Sequence, residues 1–423
     1  MRILIVGGGG REHTFCWKLT QSALVSEIFV APGNAGTAAI AQNLAIGVSD
    51  FPALKAAVME HGIEMVVAGP EAPLVDGLAD FFLADDDLKN IPVIGPQQAA
   101  AQLEGSKSFA KKFMQKHQIP TAAYGEFTAK TLAEGEAFLE QMQAPYVLKA
   151  DGLAAGKGVL ILEDLKQAKT ALRKMLVEEQ FGAASQTVVI EEFLKGIEAS
   201  CFVWTDGKNY KVLPYAKDYK RIGEGDTGLN TGGMGAISPV PFLTAELQKT
   251  IEDQIVIPTV EGLQKDNMPY VGFIFIGLML VGEQPNVIEY NVRMGDPETE
   301  VVLPRIQSDL GALLVAMAQG TLKEETLVID PRVATTVMAV SKGYPEAYEK
   351  GKIIRGIDQV QEATIFHAGT QLEADEVVTS GGRVLAATAL GDTMAEALKK
   401  SYNALAQIEF EGIHYRKDIG FDL

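Results

Sequence analysis

Three polar residues at alternate positions, Glu289, Asn291 and Arg293, carry the most definite chemistry in the sequence. An apolar, β-forming segment at 271–280 and a Gly/Pro turn at 282–285 precede them, which predicts two antiparallel strands. Because strand side chains alternate between faces, the three polar groups should share one face. A carboxylate and an amide oxygen suit a hard cation such as Mg²⁺, and a guanidinium suits a carboxylate or phosphate beside it. The alternative interpretation is a solvated strand face with an incidental ion pair.

The composition is typical of a globular protein with several domains. A chain of 423 residues is too long for one ordinary core, and roughly three domains are expected. The net charge of −18 argues against a general affinity for nucleic acid or anionic membranes. We find neither a secretory leader nor an apolar run near the ~20 residues of a membrane span, so we expect a cytoplasmic protein. Cys16 and Cys201 lie in apolar contexts and are expected to be buried free thiols.

The N-terminal segment predicts a parallel α/β sheet with a ligand at its rim. A strand at 2–6 runs into the Gly7–Gly10 loop and then a helix, an order that lets backbone N–H groups cradle a phosphate. Strands at 27–30 and 65–68 also end in glycine-rich or polar loops. Each loop alone could be a tight turn, but three in series favour a binding site.

The glycine loop also raises a second interpretation, a nicotinamide-dependent oxidoreductase. Glu12 stands where the third glycine of that fingerprint belongs, and no acid after the strand at 27–30 is placed to bind an adenosine ribose. A third interpretation is a nucleotide-sensing protein without enzymatic activity. It is disfavoured by the number of ligand-type residues on separate elements.

A glycine hairpin in the middle of the chain carries two lysines. It is not a Walker A loop, since only three residues separate Gly152 from Gly156 and Gly158 replaces the Ser or Thr that holds Mg²⁺. Flanking strands on both sides indicate a flap over a triphosphate, with Lys149 as the fixed charge and Lys157 as the mobile one. The alternative is a glycine hairpin with solvated lysines.

Two further segments have the composition of ligand contacts. Glu191, Leu194 and Glu198 follow a strand at 188–190 and could bracket adenosine, although carboxylates that merely cap a turn are the alternative. The glycine-rich polar segment 217–236 is too long for an ordinary connection and predicts a substrate-binding loop.

Taken together, these motifs resemble the ATP-grasp superfamily, whose members join a carboxylate to an amine or another nucleophile through an acyl phosphate. Within it, the sequence is similar to the family of phosphoribosylamine–glycine ligases of purine biosynthesis. The resemblance runs from the first strand to the tail, through motifs at 6–13, 31–37, 69–77, 149–158, 226–236, 291–298 and 381–385.

The resemblance implies an enzyme that ligates glycine to 5-phosphoribosylamine with ATP through a glycyl phosphate, giving glycinamide ribonucleotide, ADP and phosphate. It implies these small molecules as partners, without nucleic acid or membrane, and a monomer with a dimer as the alternative. The alternative function is another ATP-grasp carboxylate–amine ligase of purine metabolism.

Residue roles follow from the same resemblance. It implies Glu289 and Asn291 as ligands of Mg²⁺ or Mn²⁺, and catalytic roles for Arg293, Asp218 and Lys149. The implied contacts to ATP are Lys107, Lys149, Gly156, Lys157, Glu191, Glu192, Leu194 and Glu198. The implied contacts to the other substrates are Gly10, Asn34, Gly36, Thr37, Glu71, Asp218, Arg293, Asp296 and Glu298.

The sequence departs from the family pattern at two places. Lys217 and Tyr219 flank Asp218 where Gln and His are expected. The apolar strand at 275–279 lacks the acidic metal ligand that many relatives place there, so water and phosphate oxygens should complete the metal shell.

The expected domains are a Rossmann-like, phosphoribosylamine-binding domain at 1–104, an ATP-grasp domain at 105–325 with a flap subdomain at about 121–192, and a C-terminal α+β domain at 326–423. The last should contain strands at 334–340 and 383–389 and a helix at 395–408. No chemistry is evident in it. It could cover one wall of the active site or be purely structural, and His367 and His414 read as structural histidines.

Overall fold

The computed structural model describes residues 1–154 and 158–423 of the chain. Its N-terminal part is built on a parallel sheet of order β3-β2-β1-β4-β5 with helices around it. The elements, in chain order, are β1 (Arg2–Gly7), α1 (Gly10–Leu19), β2 (Glu27–Pro32), α2 (Ala35–Ala38), β3 (Gln42–Asn43), α3 (Phe51–His61), β4 (Met65–Ala68), α4 (Glu71–Val75), α5 (Leu78–Ala84), β5 (Val93–Ile94) and α6 (Gln98–Gly105). This sheet confirms the sequence prediction, and the carboxyl ends of β1, β2 and β4 open into the three expected loops.

The middle of the chain contains two antiparallel four-stranded sheets, of order β6-β9-β7-β8 and β11-β10-β16-β17. Its elements are α7 (Lys107–Lys116), β6 (Tyr124–Thr128), α8 (Leu132–Gln141), β7 (Tyr146–Ala150), β8 (Val159–Leu162), α9 (Leu165–Val177), β9 (Thr187–Glu192), β10 (Ile197–Thr205), β11 (Tyr210–Val212), β12 (Lys217–Asp218), β13 (Arg221–Gly223), β14 (Thr227–Asn230), β15 (Gly235–Ser238), α10 (Ala245–Ile251), α11 (Ile257–Lys265), β16 (Gly272–Val281), β17 (Gln284–Asn291), α12 (Thr299–Val302) and α13 (Leu310–Gln319).

The tail contributes β18 (Val333–Val340), β19 (Thr364–His367), β20 (Thr370–Glu373), β21 (Glu376–Thr379), β22 (Arg383–Gly391) and α14 (Met394–Leu405). The two strands and the helix expected there from the sequence are confirmed. The sheet they build has the order β12-β15-β18-β22-β19, so two of its strands come from the middle of the chain. That sharing was not predicted, because β12 and β15 are too short to show a strand pattern in the sequence.

Separate apolar cores hold these units together. The segment containing β6 to β9 packs α8 and α9 around its own cluster, which includes Leu139, Leu148, Leu172 and Ile190. A larger cluster joins the N-terminal sheet to β10, β16 and β17, which fixes the glycine loops relative to the metal-type residues. Both cysteines are free and buried, as predicted.

The hairpin of β16 and β17 is the element that carries the polar face seen in the sequence. Gly282 closes it with a left-handed φ of 62°, a conformation that glycine adopts without the cost of a Cβ contact. A bulge breaks the pairing after Gly277, since Gly277 pairs with Glu289 but Leu278 pairs with Val287. Ile288 is the extra residue of that bulge, and it is half-buried rather than part of the core.

Within the described residues, no helix has the length and the apolar character needed to cross a membrane.

Candidate active site

The start of α7 fixes Lys107 at the base of the β7–β8 hairpin. The Ser106 hydroxyl caps the helix by accepting the Phe109 N–H at 3.1 Å, as serine does at many helix starts. Asp151 accepts the Ser108 N–H at 2.7 Å and the Ser106 hydroxyl at 3.0 Å. The Lys107 ammonium lies 3.4 Å from the Gly152 carbonyl oxygen, and burial lowers its pKa. The helix start and the hairpin base therefore hold one cation between them.

Glu191 on β9 joins two buried lysines through a single oxygen. Its Oε2 lies 3.0 Å from the Lys149 ammonium and 3.1 Å from the Lys111 ammonium. Lys111 also donates to the Thr121 hydroxyl at 2.8 Å, and burial is the main cause that lowers its pKa to about 8. Sequence reasoning missed Lys111, although its place one helical turn after Lys107 put it on the same face.

Lys149 also links this cluster to the β16–β17 hairpin, which carries Glu289 and Asn291. Its ammonium donates to the Ile288 carbonyl oxygen at 3.3 Å, and the β17 bulge is the feature that supplies this carbonyl. Glu289, the next residue, is half-buried and has no cationic partner within 4.0 Å among the described residues. The structure thus brings Lys149 beside Glu289 from a strand far away in the sequence.

Asn291 is buried, and its amide is only partly used by the protein. The Oδ1 atom accepts a hydrogen bond of 3.0 Å from Arg293, whereas the buried Nδ2 atom has no partner among the described residues. Nowhere in residues 1–154 and 158–423 is a group of three or more His, Cys, Asp or Glu side chains arranged to hold a metal ion. A cation here would rely on one carboxylate and one amide of the protein.

Arg293 is held by acids from two parts of the chain. Glu104, at the end of α6, accepts a hydrogen bond from the Arg293 Nη2 with one carboxylate oxygen at 2.7 Å. Its other oxygen accepts the Val292 N–H at 2.7 Å. Glu71 lies 3.5 Å from Nε, and that buried Nε–H makes no hydrogen bond within the described residues. Burial raises the pKa of Glu71, but the charges of Arg293 and Arg11 outweigh it, and the net shift is downwards. Glu104 was not singled out from the sequence, where only its position at the polar end of an alanine-rich helix marks it.

A second charged cluster surrounds Lys220. Its ammonium lies 2.5 Å from Glu198 and 3.9 Å from Asp218. Burial lowers the pKa of Lys220, but Asp218, Glu198 and Glu289 together raise it well above the usual value. Glu298 is buried nearby, and burial followed by the charge of Asp218 raises its pKa to about 8. Glu198 therefore pairs with a lysine of the protein, and its contact to adenosine stays a prediction.

Asp296 joins the N-terminal glycine loop to the tail. Its carboxylate accepts the Arg11 N–H at 3.3 Å and lies 2.8 Å from the Arg383 guanidinium. Arg383 also donates to the Gly232 and Asp296 carbonyl oxygens at 2.6 Å each. The tail therefore contacts both the 217–236 segment and Asp296, one of the predicted substrate contacts after β17.

The polar side chains of the N-terminal loops are bonded mainly to the protein. Glu12 accepts the Gly9 N–H at 2.6 Å and the Arg11 Nε–H at 2.6 Å, and it fills the space beside Gly7 and Gly69. Asn34 caps α2 by accepting the Gly36 and Thr37 N–H groups, and its amide donates to the His367 carbonyl oxygen at 2.7 Å.

The remaining contacts of these loops are also to the protein. The Thr37 hydroxyl donates to Asn43 at 2.8 Å, and Gly10 contacts the buried Glu300 side chain. His367 is bonded through Nδ1 to the Thr370 hydroxyl at 3.0 Å. These side chains shape the loops, and Glu12 fills the space that a dinucleotide fingerprint leaves to a glycine.

The other residues predicted to contact ATP fall into three groups. Glu192 is exposed at the end of β9, and Leu194 is half-buried in the connection to β10. Gly156 and Lys157 lie outside the described residues. The third group is Lys107 and Lys149: Lys149 donates to the Ile288 carbonyl oxygen beside Glu289, and the charge of Glu289 acts on Lys107. Together with Asn291 and Arg293 at the same strand end, they combine cations with oxygens suited to a metal, and such a combination can hold a polyphosphate and a carboxylate side by side.

Comparison with known proteins shows the family to which the chain belongs. Three family models match the chain: phosphoribosylglycinamide synthetase N domain at residues 1–104, ATP-grasp (A) domain at 105–299 and C domain at 334–422. The phosphoribosylamine–glycine ligase of Vibrio cholerae is 46% identical, with 100% of this chain and 98% of that relative aligned. The same enzyme of Salmonella typhimurium is 47% identical over the same shares of the two chains.

Solved structures show the same fold. The crystal structure of the phosphoribosylamine–glycine ligase from Thermotoga maritima superposes with a TM-score of 0.86 and 37% identity, covering 99% of this chain and 100% of that one. A biotin carboxylase domain from Hydrogenobacter thermophilus, described in complex with MgADP, has a TM-score of 0.75 over 98% of this chain and 91% of its own. At 15% identity, the second likeness concerns the fold alone. On the full-length matches, this chain belongs to the phosphoribosylglycinamide synthetase family, the family of the phosphoribosylamine–glycine ligases.

Proposed function

We propose that this chain ligates glycine to 5-phosphoribosylamine with ATP, through glycyl phosphate, and so produces glycinamide ribonucleotide, ADP and phosphate for purine biosynthesis. One observation carries the proposal beyond family membership. Lys149 and Arg293 each lie next to the strand end that carries Glu289 and Asn291, at 3.3 Å from Ile288 and 3.0 Å from Asn291. Cations and metal-type oxygens meet where phosphoryl transfer to a carboxylate needs both.

Glu289 and Asn291 are the residues proposed to hold a divalent cation, Mg²⁺ or Mn²⁺. The donor set fits such an ion, because Glu289 lacks a cationic partner within 4.0 Å among the described residues and the Asn291 Oδ1 keeps a second lone pair. When bound, the cation would neutralise phosphate charge beside these two residues.

Lys107 and Lys149 are proposed to bind the phosphates of ATP. Both are largely buried, so they approach a polyanion in a medium where charge interactions are stronger than in water. The barrier to forming an acyl phosphate is largely the repulsion between a carboxylate and a triphosphate. Two fixed cations reduce that repulsion without having to reorganise during the reaction.

Arg293 is proposed to bind the glycine carboxylate. Its Nη2 atom is occupied by Glu104 and Asn291, which fixes the plane of the guanidinium. Its Nε–H makes no hydrogen bond within the described residues, although Glu71 lies 3.5 Å away, and its Nη1 donates one bond, to the Met294 carbonyl oxygen at 3.3 Å. The Nε–H and the second Nη1–H are therefore the donors proposed to hold the glycine carboxylate next to the phosphate-binding lysines.

Asp218 and Glu298 are proposed to handle the amine. Burial, followed by the charge of Asp218, raises the pKa of Glu298 to about 8, so the Glu298 carboxyl keeps its proton near neutral pH. A carboxylate at Asp218 is then proposed to accept the proton that the amine of phosphoribosylamine loses as it attacks glycyl phosphate. Gly10, Asn34, Gly36, Thr37, Glu71 and Asp296 are proposed to form the ribose phosphate side of the site, with Asn34 and Thr37 acting through the loop shape they impose.

The direct test is ADP release with freshly generated phosphoribosylamine, in parallel reactions that omit glycine or the amine. We expect ADP and glycinamide ribonucleotide, identified by mass, in equal amounts and only with both substrates. ADP release with formate or bicarbonate but not glycine would instead indicate another ATP-grasp ligase. Binding of NAD(P)H with no ADP release would indicate the oxidoreductase alternative.

A further inference from the structure

Asp422 joins the two side chains at which the sequence departs from its family pattern. One carboxylate oxygen accepts the Tyr219 hydroxyl at 2.9 Å, and the other lies 3.0 Å from the Lys217 ammonium. The same ammonium sits 4.1 Å from the centre of the Tyr219 ring. Lys217 and Tyr219 are buried, so a partner carboxylate offsets the cost of removing their polar atoms from water.

These two side chains bracket Asp218 on the opposite face of the chain. β12 pairs with β15, with Lys217 opposite Ile237 and Asp218 opposite Ala236, and the Tyr219 N–H continues the ladder to the Gly235 carbonyl oxygen at 3.0 Å. Because side chains alternate along a strand, Lys217 and Tyr219 face Asp422, whereas Asp218 faces Lys220. The direction of the Asp218 carboxylate is thus determined by a backbone that is anchored on its other face.

We propose that Asp422 is a positioning residue for Asp218: its carboxylate anchors Lys217 and Tyr219 and thereby aims Asp218 at the reacting amine. This inference rests on the proposed function, which gives Asp218 its place beside that amine. It assigns the tail a part in the chemistry, where the sequence indicated none. Lys217 and Tyr219 then act with Asp422 as a unit on the face opposite Asp218.

The test uses the full chain with Asp422→Asn, which keeps the shape of the side chain and removes its charge. We expect kcat/KM for phosphoribosylamine to fall about tenfold. Thermal melting without ATP should show that the variant is still folded at the assay temperature. Tyr219→Phe removes the hydroxyl from the other side of the contact and should give a similar loss. Glu411→Gln is the matched control, because Glu411 is an exposed tail acid that pairs only with Lys352 among the described residues.

A double-mutant cycle separates positioning from general stabilisation. If Asp422 acts through Asp218, Asp422→Asn causes less than a twofold further loss in an Asp218→Asn background. An equal tenfold loss in both backgrounds, or wild-type activity of Asp422→Asn with only a lowered Tm, overturns the inference. Near-wild-type activity of Asp218→Asn itself contradicts the role of Asp218 in the proposed function, and the inference falls with it.

Discussion

The glycine loops of the N-terminal sheet and the end of β17 are both rich in polar residues, but they use them differently. In the loops, Asn34 and Thr37 are bonded to the protein through nearly all their polar atoms. At the end of β17, the Asn291 Nδ2 and Arg293 Nε atoms are buried without hydrogen-bond partners among the described residues. Buried polar atoms are costly when unpaired, and each such atom calls for a reason, such as a catalytic role or a bound water or ion. The comparison teaches that the loops are preformed, whereas the β17 end keeps buried donors that a ligand can use.

The largest expected effect tests the incomplete region. Glu289→Ala should lower kcat at least 10²–10³-fold, because it removes the only carboxylate proposed for the metal and leaves the phosphate charge poorly neutralised. ADP release across a Mg²⁺ titration measures it. Glu283→Ala, in the exposed turn of the same hairpin, is the control. A near-wild-type rate of Glu289→Ala at low Mg²⁺ shows that the metal assignment is wrong.

The next effect concerns the proposed binding of the glycine carboxylate by Arg293. Arg293→Lys should reduce kcat/KM for glycine about 10²-fold, since an ammonium has three N–H donors and cannot keep Glu104 and Asn291 and also replace the Nε and Nη1 donors offered to a carboxylate. Initial rates over a range of glycine concentrations measure it. Arg332→Lys changes an arginine paired with Asp330 away from the site and should leave the rates unchanged. An unaltered dependence on glycine in Arg293→Lys would refute the role.

A smaller effect depends on pH through Lys111. Burial, reinforced by Lys149, lowers the pKa of Lys111 to about 8, so its ammonium loses a proton as pH rises through that value. Glu191 then has Lys149 as its remaining cation and holds it more tightly, and the KM for ATP should rise several-fold above pH 8. Lys111→Met should have the raised KM at every pH, without the step. Lys112→Met, at the exposed neighbouring position, should retain the step. A step that persists in Lys111→Met assigns it to another group.

The smallest effect on activity is expected in the preformed loops. Asn34→Ala removes the cap of α2 and the bond to His367, and it should destabilise the protein by about 1–2 kcal/mol. Thermal melting measures the loss, and kcat/KM below the melting range should change less than tenfold. Asn403→Ala, on the exposed side of α14, serves as the control. A large loss of kcat/KM with an unchanged Tm would break the comparison, because Asn34 would then contact substrate directly.

The sequence predicted the parts of the site that lie on one continuous element. The β16–β17 hairpin and the loops after β1, β2 and β4 follow from local patterns of alternation and glycine, and they are present. Glu104 was missed because its bond to the Val292 N–H joins positions 188 residues apart, and the sequence around Glu104 does not indicate that partner. Lys220 was missed for the same reason, since it becomes notable only beside the acid that folding brings to it. Lys111 had the helical spacing from Lys107 as a signal, but its acidic partner Glu191 is also distant in the sequence. The change of strand register at Ile288 also cannot be predicted from the β17 sequence alone, because a bulge depends on the pairing with β16.

The mixed origin of the last five-stranded sheet has a consequence for synthesis on the ribosome. β15 pairs with β18, and β18 in turn with β22, so β12 and β15 complete their ladder only after roughly a hundred further residues have emerged. Until then the nascent chain carries an open strand edge that could recruit a neighbouring chain. A translation pause between β15 and β18 would prolong that exposure, whereas one after α14 would find the edge already covered.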